Sequence, residues 1–214
     1  MTRDWLLARL APPPAAFRGD HDLNPGWAPG DGAPEESLTR AAVLAPLVER
    51  PDGLTVLLTR RTDHLAHHPG QISFPGGRQE PDDATPEHAA LRETEEEIGL
   101  HRRHIEILGR LDPYVTRTGF HITPVVALVR PPFELVPDPH EVAEVFEVPL
   151  AFLLDPANHQ RHSRTHKGNE RQFYAMPYGN YYIWGATAGM LINLYDRLSA
   201  DSSTVAAASA GGSP

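Results

Sequence analysis

The chain has 214 residues, no cysteine and a formal net charge of −9. That length allows one domain with a sizeable core, the missing cysteine excludes disulfides and thiolate metal sites, and the acidic balance argues against general nucleic-acid binding. No apolar run approaches the ~20 residues that span a bilayer, so the expectation is a cytoplasmic protein with neither a membrane nor a nucleic-acid partner.

In chain order, residues 2–10 read as a short amphipathic helix with Trp5, Leu6, Leu7 and Leu10 on its apolar side. Arg9 breaks that patch, which argues against a signal peptide. Residues 11–38 concentrate Pro and Gly (APPPAAF, NPGWAPGDGAP) and predict an irregular arm, with Trp27 as a pin. A folded domain is expected over 39–198. Runs 41–48 and 54–59 are β-prone, and Asp52-Gly53 between them signals a hairpin. A His-rich connection, 62–71, leads through 72–74 into a glycine turn. Strands are expected at 105–111, 122–129 and 142–148, with a loop at 116–119 and a short helix near 150–154. Residues 158–171 are polar and basic and predict a long loop. Residues 173–174 and 181–184 are expected to pair around a 177–180 turn. Met190, Leu191, Leu194 and Leu198 have helical spacing, so 186–198 is a closing helix. The low-complexity tail, 199–214, reads as disordered. Strands and helices mix without regular βαβ alternation. The fold class is therefore α+β, a mixed curled β-sheet sandwiched between helices (α/β/α).

The stretch GGRQEPDDATPEHAALRETEEEIGL, residues 76–100, carries the chemistry. Thr85 suits an N-cap, Pro86 the first helical position and Gly99 the terminator, which predicts a helix over 85–98. Glu93, Glu95, Glu96 and Glu97 then fall in its last turns, where the helix dipole disfavours negative charge. Like charges at i,i+3 and i,i+4 add a further ~0.2–0.5 kcal/mol of repulsion per pair. At about 100° per residue, Glu93, Glu96 and Glu97 share one face with Ala89, while Leu91, Thr94 and Ile98 form the core stripe. Arg92 lies between, within reach of Glu96. With no Lys interspersed, three carboxylates on one face suit a hard divalent cation, and a solvated acidic face is the plainer alternative.

Gly77, Asp83, Arg92-Glu93, Glu96-Glu97, Gly99 and Leu100 resemble the Nudix box, G-x5-E-x7-R-E-U-x-E-E-x-G-U. Asp83 stands where the box has Glu, one extra residue precedes Arg92, and Thr94 replaces an aliphatic. That spacing is similar to the coenzyme A pyrophosphatase branch, whose upstream signature resembles Leu57-Leu58-Thr59-Arg60-Arg61-Thr62 followed by Gly70-Gln71-Ile72-Ser73-Phe74-Pro75-Gly76-Gly77. Ala66 takes the place of the signature's second Arg. The similarity runs on through LGRLDPYVTRTGFHITPVV, EVAEVFEVPL and YYIWGATAGML, covering roughly 40–198.

The resemblance implies a Nudix fold and hydrolysis of a nucleoside diphosphate linked to another moiety. For this branch it implies coenzyme A, cut to 4′-phosphopantetheine and adenosine 3′,5′-bisphosphate. Mg²⁺ or Mn²⁺ would bridge the diphosphate, lower the pKa of an attacking water and stabilise developing charge. Glu93, Glu96 and Glu97 are assigned as metal ligands, and the carbonyl of Gly76 or Gly77 as a neutral one. Arg92 is read as an orienter of a helix glutamate. Glu141 is the first general-base candidate and Glu144 the second, each weighed against an ordinary exposed acid. Arg60, Arg61, Arg78 and Arg117 are the candidate cations for the diphosphate or the 3′-phosphate, against the commoner idle surface arginine. His64, His67 and His68 lack the further ligands of a zinc site. Trp184, Tyr181 and Tyr182 read as packing. The alternative substrates are ADP-ribose, a dinucleotide or a nucleoside triphosphate, and the alternative class is a non-catalytic nucleotide-binding module. A homodimer is left open.

Overall fold

One long strand, buried on both faces from Ala41 to Val48, organises the molecule. In a computed structural model, which describes residues 1–24, 26, 32, 34–64, 69–166 and 169–200, the first half runs α1 (Arg3–Leu10), β1 (Arg18–Gly19), β2 (Thr39–Arg50), β3 (Gly53–Arg61), β4 (Ile72–Ser73), β5 (Gly76–Arg78) and α2 (Pro86–Ile98). Then follow β6 (Ile105–Arg110), β7 (Tyr114–Val115), β8 (Phe120–Val129), β9 (Val142–Pro149), α3 (Leu150–Leu153), β10 (Gln160–His166), β11 (Asn169–Tyr178), β12 (Tyr181–Trp184) and α4 (Ala186–Ser199). Val43, Ala45 and Leu47 of β2 join one core with Leu6, Leu10, Leu150, Leu153, Leu191 and Leu194. The next residues along the strand, Ala42 and Leu44, face Ala89 and Ala90 of α2. The period-two pleat thus gives β2 a helix layer on each side.

The main sheet has nine strands in the order β1-β7-β8-β2-β3-β4, with β5 on β2, β6 on β8 and β9 on β3. Strands β2 and β8 run parallel from Thr39↔Phe120 to Val48↔Val129. The β2–β3 hairpin keeps register only from Leu47↔Val56 to Arg50↔Gly53. Its turn is centred on Pro51-Asp52, so Gly53, expected within the turn, opens β3 instead. β9 lines the other edge of β3 from Thr55 on, β4 pairs with β3 at Thr59 and Arg60, and β5 takes the vacated edge of β2 at Ala41, Ala42 and Val43. That divergence leaves room for the glycine turn against α2.

Two expectations are corrected. Residues 158–171 do not form a long loop: β10 pairs antiparallel with β11 from Gln160↔Ala175 to His166↔Asn169, and with β12 they make a separate three-stranded sheet. Their polar sequence reflects a sheet that gives most of its surface to solvent, where β pairing needs no apolar run. The arm is also less irregular than its Pro and Gly content predicts. Arg18 and Gly19 pair with Tyr114 and Val115, and the Asn24 side chain bonds both the N–H and the C=O of Gln172. Trp27 and the tail 201–214 lie outside the described residues. No described helix is long and apolar enough to cross a membrane.

Candidate active site

The local signals for α2 act as their chemistry requires. The Thr85 side chain accepts from the His88 N–H, Pro86 opens the helix, and Gly99 ends it in the left-handed region at φ 68°. The paired small residues Ala89 and Ala90 against Ala42 and Ala127, all fully buried, let the helix approach the sheet closely. Ala89, expected beside the carboxylates, is instead part of that contact. Close approach carries Glu93 and Glu97 onto the glycine turn.

Glu97 is buried, with 6% of its side chain exposed, and its Oε2 accepts the Gly76 N–H at 3.0 Å. Its Oε1 lies 3.8 Å from Arg61 Nη1. Gly77 faces Glu93 so closely that a Cβ there would stand 2.5 Å from the carboxylate, and a Cβ on Gly76 would meet the Ala42 carbonyl at 2.4 Å. Gly76 is thus demanded by the backbone against it and by its φ of 146°, whereas a side chain at Gly77 would push aside only the movable end of Glu93. Glu95 turns outward, where Arg102 binds it at 2.8 Å through Nε.

Arg92 is the clasp of the site. It donates to Asp83 Oδ2 at 2.8 Å, Glu93 Oε1 at 2.9 Å, Glu96 Oε2 at 3.0 Å and the Arg78 carbonyl at 3.1 Å. Only a planar guanidinium reaches that many acceptors from one helix position. Asp83, the residue that departs from the box, is held through this contact below the usual carboxylate range. The orienting role expected for Arg92 extends to the loop before the helix as well as to Glu93 and Glu96.

The last turn of α2 also places the loop that follows β8. The Glu97 carbonyl accepts the Asp138 N–H at 2.9 Å, and the Ile98 carbonyl accepts the Val136 N–H at 2.9 Å. From there the chain is pinned to β3, since Thr62 N–H bonds the Glu141 carbonyl at 3.0 Å. Glu141 thereby approaches Glu93 and Glu97 closely enough to oppose their ionisation. Burial, reinforced by Glu141 and Glu93, pushes the Glu97 carboxyl up to about 7 despite Gly76 and Arg61. Burial raises Glu93 too, against the pull of Arg92. Glu144, the second base candidate, goes elsewhere: it accepts the Tyr181 hydroxyl at 2.6 Å and faces Arg60 at 3.4 Å.

The carboxylates share one region, yet among the described residues no three His, Asp or Glu side chains surround a single cation position. The expected convergence is corrected to that extent, because Arg92 and the Gly76 N–H each draw carboxylates toward themselves. The donor set nonetheless fits a hard divalent cation. Glu93, Glu97 and Glu141 repel one another, Glu96 is exposed beside them, and the glycine turn leaves a side-chain-free cradle at Gly77.

Of the four candidate substrate arginines, Arg61 is the one set against these carboxylates. Arg60 points to the opposite face of β3, toward Glu144, and the Arg78 guanidinium lies over the Phe120 ring at 5.8 Å. Arg117 lines a different cavity, with Arg171 and Trp184. Tyr181 stacks on Phe146 at 3.7 Å, as packing predicts. His64 is exposed, and His67, His68 and Ala66 lie outside the described residues. The Asp83–Arg92 contact was not expected from the sequence, although both residues were singled out there as positions of the box.

The NUDIX domain family pattern matches residues 38–167. A relative named as an uncharacterized Nudix hydrolase, NudL, from Yersinia pestis (strain Pestoides F) is 40% identical over 160 residues, spanning 75% of this chain and 80% of that protein. The chain belongs to the Nudix family. NudL of Yersinia pseudotuberculosis serotype I (strain IP 32953) aligns to the same extent. Among solved structures, the Nudix hydrolase RenU from M. smegmatis superposes with a TM-score of 0.45 at 27% identity, over 53% of this chain and 71% of that one. This Nudix protein is a pyrophosphohydrolase, an enzyme that acts on nucleoside diphosphate derivatives.

Proposed function

We propose that this Nudix hydrolase is a cytoplasmic coenzyme A diphosphatase that uses Mg²⁺ or Mn²⁺ to cut coenzyme A or its derivatives into 4′-phosphopantetheine, or its acyl form, and adenosine 3′,5′-bisphosphate. One observation carries the reading. The two halves of the upstream signature meet the box glutamates: Arg61 of the first half faces Glu97, and Gly76 of the second donates to it. A signature tied to the reacting carboxylates belongs to substrate recognition more readily than to the core.

A divalent cation, when bound, would supply charge neutralisation on the diphosphate and acidify the attacking water. Glu93, Glu96 and Glu97 are the residues to hold it, with a Gly77 carbonyl as neutral donor. Arg92 orients Glu93 and Glu96, holding one oxygen of each carboxylate. Glu141, on a loop anchored from both α2 and β3, is the group to take the proton from water. Arg61 is the guanidinium placed to meet a phosphoryl oxygen.

Ala66, where the signature has Arg, supports ADP-ribose or another nucleoside diphosphate derivative as the second reading. The test is a panel of coenzyme A, acyl-coenzyme A, ADP-ribose, NADH and nucleoside triphosphates with Mg²⁺ or Mn²⁺, followed by product resolution. Release of phosphopantetheine is expected, and fast turnover of ADP-ribose alone would overturn the substrate assignment. Tight binding with no turnover of any compound would overturn catalysis itself.

A further inference from the structure

A cavity of about 240 Å³ opens on the side of the main sheet that carries α4. Arg117 and Arg171, both half-buried, line it from the β7–β8 connection and from β11 respectively. Between them stand the hydroxyls of Thr116 and Thr118, 2.9 Å apart. Its flat wall is Trp184, met edge-on by Phe173 at 5.3 Å. Asp20 also reaches the lining, but its carboxylate is occupied by the Arg117 backbone N–H at 2.9 Å and the Tyr114 hydroxyl at 2.9 Å.

Two guanidiniums and two hydroxyls beside an indole make a site for a phosphomonoester carried on an aromatic, base-sized body. A diphosphate in transit between carboxylate-bound metals would not need it, because the cavity contains none of the glutamates. Two short stretches of chain link the cavity toward the reaction site all the same. Gln71 in its wall accepts the Arg61 N–H at 2.9 Å, and the Arg61 side chain faces Glu97. Thr118 lies two residues before Phe120, whose ring is covered by Arg78 from β5. Most of the cavity is an addition to the common domain. Asp20, Arg171, Phe173 and Trp184 fall outside the matched family region 38–167, and Asn24 ties the arm to β11 to complete it.

We propose that this cavity is a specificity subsite that binds a phosphomonoester on the nucleoside half of the substrate, with Arg117 and Arg171 as its anion ligands and Trp184 as its base platform. It rests on the reading that the substrate carries a second phosphate besides the diphosphate.

Binding and turnover test the two readings separately. Calorimetry on the full chain compares adenosine 3′,5′-bisphosphate with adenosine 5′-monophosphate, without reference to catalysis. The bisphosphate should bind about 10- to 100-fold more tightly, and Arg171→Gln or Arg117→Gln should each remove most of that preference while binding the monophosphate as the wild type does. Equal affinity of the two nucleotides for the wild-type protein, or a preference that survives both substitutions, overturns the subsite. Should either variant fail to fold, the other and the wild-type comparison decide. In turnover, the same variants should raise KM for coenzyme A and leave that for 3′-dephospho-coenzyme A unchanged, with kcat unaltered for both. A wild-type enzyme that cuts neither compound overturns the coenzyme A reading while the calorimetric preference still stands or falls by itself.

Discussion

The carboxylate face of α2 and the arginine cavity beside α4 sit at the same end of one sheet, but they are built in opposite ways. The first comes from a contiguous stretch: glycine turn, capped helix and glutamates, all within residues 76–100. The second is assembled from the arm, the β7–β8 connection, β11, β12 and the start of α4. The first concentrates negative charge that disfavours its own ionisation, and the second concentrates positive charge beside an aromatic wall. On the proposed reading, the reaction centre is local, while recognition of a particular substrate is distributed and added to it.

Removing the buried carboxylate should separate the two regions most sharply. Glu97→Gln is expected to lower metal-dependent turnover by about 10³-fold or more, while nucleotide affinity at the cavity stays at the wild-type level. Wild-type turnover in this variant would refute the ligand assignment.

The same residue makes the carboxylate face sensitive to pH. Between pH 4.5 and about 7 the folded protein holds a proton on Glu97 that the unfolded chain has released. With chelator present, stability should fall as pH rises across that window, by about 3 kcal/mol at ~1.36 kcal/mol per unit, before any contribution from Glu93. Urea unfolding of wild type and Glu97→Gln would reveal the slope, which should be much flatter in the variant. Parallel slopes would place the penalty elsewhere.

Arg92→Ala releases Asp83, Glu93 and Glu96 together and should reduce kcat/KM by about 10- to 100-fold. Arg92→Lys should recover little, since one ammonium cannot span those acceptors. Metal titrations would locate the loss in cation affinity, and a loss confined to nucleotide affinity would contradict the positioning role. Gly77→Ala is the mildest intervention. Its Cβ would displace the Glu93 carboxylate, a movable chain end, so the fold should persist while metal affinity drops by about tenfold. Unchanged metal affinity in that variant would remove Glu93 from the ligand set.

Much of the site was legible because its signals are short-range. Thr85, Pro86 and Gly99 bound the helix by backbone chemistry that any context would respect, and a cluster of glutamates at the wrong end of a dipole is visible without coordinates. The β2–β3 and β8 strands were legible through their apolar runs. Residues 158–171 misled because a solvent-facing hairpin carries no apolar periodicity, so pairing has to be read from partners rather than from pattern. Arg60 and Arg61 show the same limit: adjacent residues of one strand face opposite sides, and only the sheet says which side holds the glutamates.

By itself, then, the sequence determined α2, its caps and its acidic face, because each depends on neighbours within a turn or two. Tertiary structure decided which acids meet which cations. It turned Asp83 and Arg92 into a clasp, buried Glu97 against Gly76, carried Glu141 rather than Glu144 to the carboxylates, and drew Arg117 and Arg171 into one cavity. Those outcomes depend on close helix–sheet approach through Ala89 and Ala90 and on strand register between residues as distant in sequence as Thr55 and Pro149, which no local pattern encodes.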